Sequence, residues 1–138
     1  MLRSSNDECL EREGETAVAR TILIVDDSAS MRQLVAFTLR DAGYEVAEAK
    51  DGADALAKAE GGKFDLVITD LNMPLIDGIK LISELRTRAA YRFTPILMLT
   101  TESQEARKQD GKRAGASGWI VKPFTPEVLV GLVNKFIR

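Results

Sequence analysis

The chain has 138 residues, with 19 basic and 21 acidic side chains, a formal net charge of −2 and a 45% hydrophobic share. That length suits one compact domain with a proper core rather than two, and the near-balance of charge leaves no electrostatic footprint for nucleic acid. Histidine is absent, which excludes imidazole acid–base chemistry, a histidine nucleophile and the commonest transition-metal ligand.

Met1 to about Arg20 is polar and charge-mixed, with Asp7, Glu8, Glu11, Glu13 and Glu15 close together. A disordered or weakly helical extension is expected over 1–20, ahead of one domain over 21–138. Cys9 is the single cysteine, so no disulfide forms within the chain and a reducing, cytoplasmic setting is expected. No apolar run approaches the roughly 20 residues of a membrane span. The first residues also lack the charged-then-apolar order of a secretory signal. Neither a membrane nor a nucleic acid is an expected partner.

From Thr21 onward, short apolar runs alternate with amphipathic segments. Thr21–Val25 reads as the first strand. Ser28 or Ser30 then caps a helix burying Met31, Leu34, Val35 and Leu39 and stopping at Gly43, and Ser30 with Gln33 fits a capping box. Glu45–Ala49 is the second strand, and its glutamates suit a sheet edge. Asp51 caps a second helix, which ends at Gly61-Gly62. Leu66–Thr69 is the third strand, and Asp77 caps a third helix with Leu81, Ile82 and Leu85 inward. Ile96–Leu99 is the fourth strand. Ser103 opens a fourth helix, polar almost all round, that closes at Gly115. Trp119–Val121 is the fifth strand. Thr125 caps the last helix, with Pro126 at its first position and Phe124 placed to staple onto Leu129. Val128, Leu129, Leu132, Val133, Phe136 and Ile137 form its apolar stripe.

Four of the strands are nearly continuous apolar runs, as in a parallel sheet covered on both faces. Five strands alternating with five helices predict an α/β, doubly wound parallel sheet with right-handed crossovers. The pattern ends with the fifth helix, so no second domain is expected.

Polar residues of chemical interest recur at strand ends. Asp26 and Asp27 follow ILIV, Asp70 follows LVIT, Thr100 follows ILML, and Lys122 follows WIV. In a parallel sheet these share the carboxyl edge, where open α/β folds bind ligands. Singly, each reads as a cap, a turn former or a solvated strand end; together at matching positions, coincidence explains them poorly. Three clustered carboxylates repel one another, and a hard divalent cation with oxygen ligands, Mg²⁺, would relieve that. A carboxylate can also attack phosphorus, giving an aspartyl phosphate. Lys122 would then neutralise charge on the transferring group, and Thr100 could donate a hydrogen bond to it.

The segments ILIVDDSASMRQLV, DLVITDLNMPLIDG, PILMLTTES and AGASGWIVKPF, in that order, resemble the bacterial response-regulator receiver domain, and most closely the stand-alone, CheY-like chemotaxis regulators. The likeness runs from about Thr21 to Arg138. It implies a flavodoxin-like strand order, 2-1-3-4-5. It also implies Asp70 as phosphoacceptor, with Asp27 and Asp70 binding Mg²⁺ directly, Asp26 acting mainly through water, and the Asn72 carbonyl as a further ligand. Thr100 becomes the switch hydroxyl, and Lys122 the phosphoryl-contacting lysine, preceding a cis bond to Pro123. Trp119, Thr101 and Glu102 form the switch and output set. Asn72 and Glu102 stand at the two variable positions that set self-dephosphorylation in the family, which implies a short-lived signal.

The resemblance further implies a monomer phosphorylated by a CheA-like histidine kinase. Its output would be phosphorylation-dependent protein binding, in chemotaxis with the flagellar motor switch as a target, or in a phosphorelay shuttle as the alternative. The only activities expected are self-phosphorylation and self-dephosphorylation. Two features depart from the family pattern. Trp119 stands where Tyr, Phe or His is usual, and the fourth helix has few apolar anchors, so a docking groove there would lean on Trp119, Val121 and Ala106.

Two other classes fit the sequence less well. A haloacid-dehalogenase-type phosphatase also forms an aspartyl phosphate, but it needs a D-x-D pair on its first strand, whereas this chain has adjacent Asp26-Asp27-Ser28. Nucleotide binding on a Rossmann-like sheet lacks its Gly-rich loop.

Overall fold

A computed structural model describes residues 20–101 and 105–137. The leader with Cys9, and Glu102, Ser103, Gln104 and Arg138, lie outside the described residues. The expectations for an extended leader, for Glu102 and for Ser103 as a cap fall there.

The five strands are β1 (Thr21–Val25), β2 (Glu45–Ala49), β3 (Leu66–Asp70), β4 (Ile96–Thr101) and β5 (Gly118–Lys122). They alternate with α1 (Ala29–Asp41), α2 (Gly52–Gly61), α3 (Gly78–Arg86), α4 (Glu105–Ala114) and α5 (Pro126–Phe136), and a short 3₁₀ turn spans Ala89–Tyr91. All strand pairs are parallel, in the order β2-β1-β3-β4-β5. This is the flavodoxin-like α/β sheet, with β2 at one edge as its glutamates suggest and β5 at the other.

Alternation along the strands feeds two cores. Leu23, Val25, Val67, Ile96 and Met98 pack with Ala55 and Ala59 of α2 and Leu81, Ile82 and Leu85 of α3. Ile22, Ile24, Leu66, Ile68, Leu97, Leu99 and Ile120 face α1 and α5 through Val35, Leu39, Leu129 and Val133. A sheet buried on both faces needs apolar residues at every strand position, which explains the uninterrupted runs.

Side-chain caps fix four helix starts. Ser28, Asp51, Asp77 and Thr125 accept hydrogen bonds from the backbone N–H groups of Met31, Asp54, Lys80 and Val128. Ser28 is therefore the α1 cap, while Ser30 sits within the first turn, so the Ser30–Gln33 capping box does not form. Gly43 and Gly115 take left-handed φ values of 101° and 117° just past α1 and α4, a backbone region favourable to glycine.

The apolar stripes are narrower than periodicity suggests. Leu34 is 51% exposed and Val128 56% exposed, because α1 and α5 each touch the sheet along a thinner line than their hydrophobic arcs. On α4, Lys108 and Gly111 are buried although the helix is otherwise polar. β3, β4 and β5 each run further than the apolar letters: Asp70, Thr100 and Lys122 belong to the strands they were expected to follow. No helix among the described residues is long and apolar enough to cross a membrane.

Candidate functional site

The strand register sets the site. Val25 pairs with Thr69, Asp70 with Leu99, Thr100 with Val121, and Thr101 with Lys122. Asp26, just past β1, and Asp70, Thr100 and Lys122 of β3, β4 and β5 therefore stand at the ends of four neighbouring strands, on one edge of the sheet. By alternation, Asp70 continues the Leu66–Ile68 side that faces α1 and α5, whereas Thr100 continues the Met98 side, toward α3 and α4.

Asp26, Asp27 and Asp70 each offer a carboxylate oxygen, all within 4.8 Å of one another. Asp26 is 1% exposed and Asp70 8%, while Asp27 opens to solvent. The Ser28 N–H donates to Asp26 Oδ1 at 2.9 Å, but Asp26 Oδ2 is buried without a hydrogen-bond partner among the described residues. Burial pushes the Asp26 carboxyl above the ordinary carboxylate range; the Ser28 N–H opposes this, the Asp70 and Asp27 charges add to it, and Lys122 opposes it. Lys122 Nζ reaches Asp70 Oδ1 at 3.1 Å. An excess of negative charge remains beside a carboxylate oxygen with no donor. Such an oxygen-only set is capable of holding a hard divalent cation.

Thr100 is fully buried and its Oγ1 also lacks a partner among the described residues. Buried hydroxyls are almost always satisfied, so this one is poised for an acceptor brought by a ligand. The Lys122–Pro123 peptide is cis. Asn72 is exposed at the mouth of the crevice. Trp119 pairs in register with Met98 and lies 38% exposed on the rim of β5, where Lys108 Nζ stands 5.7 Å from its ring centroid, within cation–π range.

Some supporting residues carry no obvious signal in the sequence. Arg32 donates to the Asp26 carbonyl at 2.8 Å and to Glu48 at 3.2 Å, pinning the end of β1 to β2. Arg107 of α4 donates to Asn72 Oδ1 at 3.4 Å and Asp77 Oδ2 at 3.2 Å, tying α4 to the loop after Asp70. Gly78 is required for packing: a Cβ there would overlap the Asp70 carbonyl oxygen. The Asp-Gly pair at 77–78 hints at this turn, but nothing local predicts the two arginines.

A groove of about 770 Å³ opens beside β5, lined by Trp119, Val121, Phe124, Val128, Leu132 and Lys135 among others. Val121 and Trp119 serve it as expected; Ala106 does not, and α5 supplies the apolar wall instead.

Against known proteins, the response regulator receiver domain model matches residues 22–134. The chemotaxis protein CheY of Pseudomonas aeruginosa is 41% identical over 118 residues, covering 85% of this chain and 95% of the relative. The crystal structure of chemotaxis protein CheY4 of Vibrio cholerae is 50% identical and superposes with a TM-score of 0.84, over 87% of this chain and all of that one. The receiver domain of a Pseudomonas aeruginosa sensor histidine kinase, solved with a magnesium ion coordinated in its active-site cleft, is 27% identical with a TM-score of 0.80, over 86% of this chain and 98% of that one.

Proposed function

The chain belongs to the response regulator receiver domain family, and we propose that it works by accepting a phosphoryl group on Asp70 and changing which protein it binds. The observation that carries this reading is the Asp70 carboxylate, 8% exposed, with Lys122 Nζ 3.1 Å away and two further carboxylates within 4.8 Å. An Asp70 oxygen attacks the phosphorus of a phosphohistidine on a CheA-like histidine kinase, or of acetyl phosphate. The P–N or P–O bond breaks, and imidazole or acetate leaves. Lys122 follows the charge onto the transferred oxygens, and the unpartnered Thr100 hydroxyl donates to one of them.

Asp26, Asp27, Asp70 and the Asn72 carbonyl would hold Mg²⁺. Once bound, the ion neutralises charge among the carboxylates and the phosphoryl oxygens. The orphaned Asp26 Oδ2 would act on the site mainly through water rather than by direct ligation. Asn72 and Glu102 would set how long the phosphoryl group lasts.

The likeness to chemotaxis proteins supports a place in chemotaxis, with the flagellar motor switch as target. Trp119, Thr101 and Glu102 would carry the change to the face beside β5. A monomer in a reducing, cytoplasmic setting fits the single cysteine, Cys9.

Mass spectrometry after incubation with acetyl phosphate and Mg²⁺ tests the acceptor. Wild type should gain one phosphoryl group and Asp70→Asn none. Uptake by Asp70→Asn at the wild-type rate would sink the assignment. A pull-down with and without a stable phosphoryl mimic then tests the output.

A further inference from the structure

The groove beside β5 continues downward along the strand. A second hollow of about 490 Å³ adjoins it there, bounded by Lys112 of α4, Ser117 and Gly118 at the start of β5, and Lys135 and Phe136 of α5. Trp119, Leu132 and Lys135 line both. The floor is apolar and the rim is cationic. Neither Lys112 nor Lys135 makes an ion pair among the described residues, whereas Glu105 pairs with Lys108 at 3.4 Å and Asp110 with Arg113 at 2.9 Å. Glu127 stands at the upper end, so an acidic occupant is favoured only at the lower one.

The chain carries a segment of complementary chemistry. Between Asp7 and Glu15 there are five carboxylates against one arginine, interrupted by the apolar pair Cys9 and Leu10. So polar a segment cannot build a core of its own; it can lend two apolar side chains and its charges to an existing surface.

Its point of attachment is suitable. The Arg20 carbonyl accepts from the Glu45 N–H at the starting edge of β1. In a parallel sheet this is also the edge where Ser117 and Gly118 begin β5. From β1 to β5 is three strand steps, about 14 Å. The stretch from Cys9 to Arg20, fully extended, spans up to about 36 Å, enough to pass the end of α5 and enter the groove from below.

We propose that the acidic leader, residues 7–15, docks in this groove of its own domain, with Leu10 and Cys9 toward the Trp119–Leu132 floor and its carboxylates on Lys112 and Lys135. A partner seeking the same groove must then displace the leader, so the leader acts as a tethered competitor. Docking involves none of the carboxylates at the other edge of the sheet. It can therefore fail while Asp70 still accepts phosphate, and the reverse also holds.

The molecule supplies its own probes, one cysteine in the leader and one tryptophan in the groove. Cys9 of the full-length protein is labelled with a dansyl-type acceptor, and energy transfer from Trp119 is measured. Strong transfer at low salt is expected, lost in high salt and lost in the Lys112→Glu/Lys135→Glu variant, whose fold is checked by thermal melting. Adding Glu11→Lys/Glu13→Lys to that variant should restore it. Transfer no greater than in the urea-unfolded chain, or unmoved by the lysine reversals, overturns the proposal. Transfer that disappears on serial dilution overturns it as well, in favour of a leader bound to a second copy.

Discussion

Lys122 Nζ lies 3.1 Å from Asp70 Oδ1 although 52 residues separate the two in sequence. Only the parallel register of β3, β4 and β5 brings them together, and the contact offsets one carboxylate in a cluster of three. The remaining charge should express itself as affinity for a cation. Mg²⁺ binding to the native state alone raises the melting temperature with metal concentration. That rise is expected in wild type, should vanish in Asp27→Ala, and should persist or grow in Lys122→Ala, where Asp70 loses its counter-charge. Thermal melts across a Mg²⁺ series check this. Equal stabilisation of wild type and Asp27→Ala would place the metal elsewhere.

Asp26 is the costliest carboxylate of the three. It is buried, its Oδ2 has no donor, and burial together with the neighbouring acids disfavours its charge. Asp26→Asn keeps the Ser28 N–H bond through its carbonyl oxygen and removes the charge. In EDTA at neutral pH it should be more stable than wild type by about 1 kcal/mol, the scale of an uncompensated buried polar group. With Mg²⁺ in excess the advantage should shrink, because the cation relieves the wild-type repulsion. Urea unfolding in both buffers gives the comparison, and an advantage that is identical with and without Mg²⁺ would separate Asp26 from the metal.

The loop after β3 invites opposite changes at two positions. Leu75 holds a left-handed φ of 68° and is fully exposed. A non-glycine residue there costs about 1–2 kcal/mol, partly returned to the unfolded chain's freedom if glycine replaces it. Leu75→Gly should therefore stabilise by about 0.5–1 kcal/mol. Gly78→Ala should destabilise by about 3 kcal/mol, because the new Cβ meets the Asp70 carbonyl and the Leu71 Cα, backbone atoms that cannot rotate away. Melting temperatures of the two variants, moving in opposite directions, test both.

Much of this was legible from the letters. Buried parallel strands announce themselves as unbroken apolar runs, so Thr21–Val25 is found to the residue; the glutamates of Glu45–Ala49 mark an edge strand with equal accuracy, and caps at Asp51, Asp77 and Thr125 follow from side-chain chemistry. Strand ends then assemble the acidic crevice. What periodicity cannot give is the width of a contact. Leu34 and Val128 continue their stripes by spacing yet project past the sheet. Lys108, on a helix polar almost all round, nonetheless lays its stem against the domain and its ammonium over Trp119. Tyr91 is hidden for a different reason: its single hydroxyl proton is shared between the Ala59 and Gly62 carbonyls, 32 and 29 residues away, partners that no local pattern reveals.

Thr100 and Trp119 lie on the same side of the sheet, on adjacent strands, and their positions set the last prediction. Thr100 Oγ1 is buried and unsatisfied, so an acceptor on phosphorylated Asp70 would draw it toward the active edge. Moving it changes the packing behind it, along Met98 and Val121, where Trp119 sits with its ring turned outward under Lys108. The indole can then exchange its exposed position for a more buried one, a population shift needing a bias of only a few kcal/mol. Trp119 emission should therefore change on adding acetyl phosphate with Mg²⁺ and stay constant in Asp70→Asn. Thr100→Ala should take up phosphate yet lose most of the emission change, since the drawn hydroxyl is gone. Lys108→Met should alter the resting emission by removing the cation over the ring, while leaving the phosphorylation response in place. A fully phosphorylated protein, verified by mass, whose emission matches the unphosphorylated one would mean that Trp119 packs on α4 without taking part in the switch.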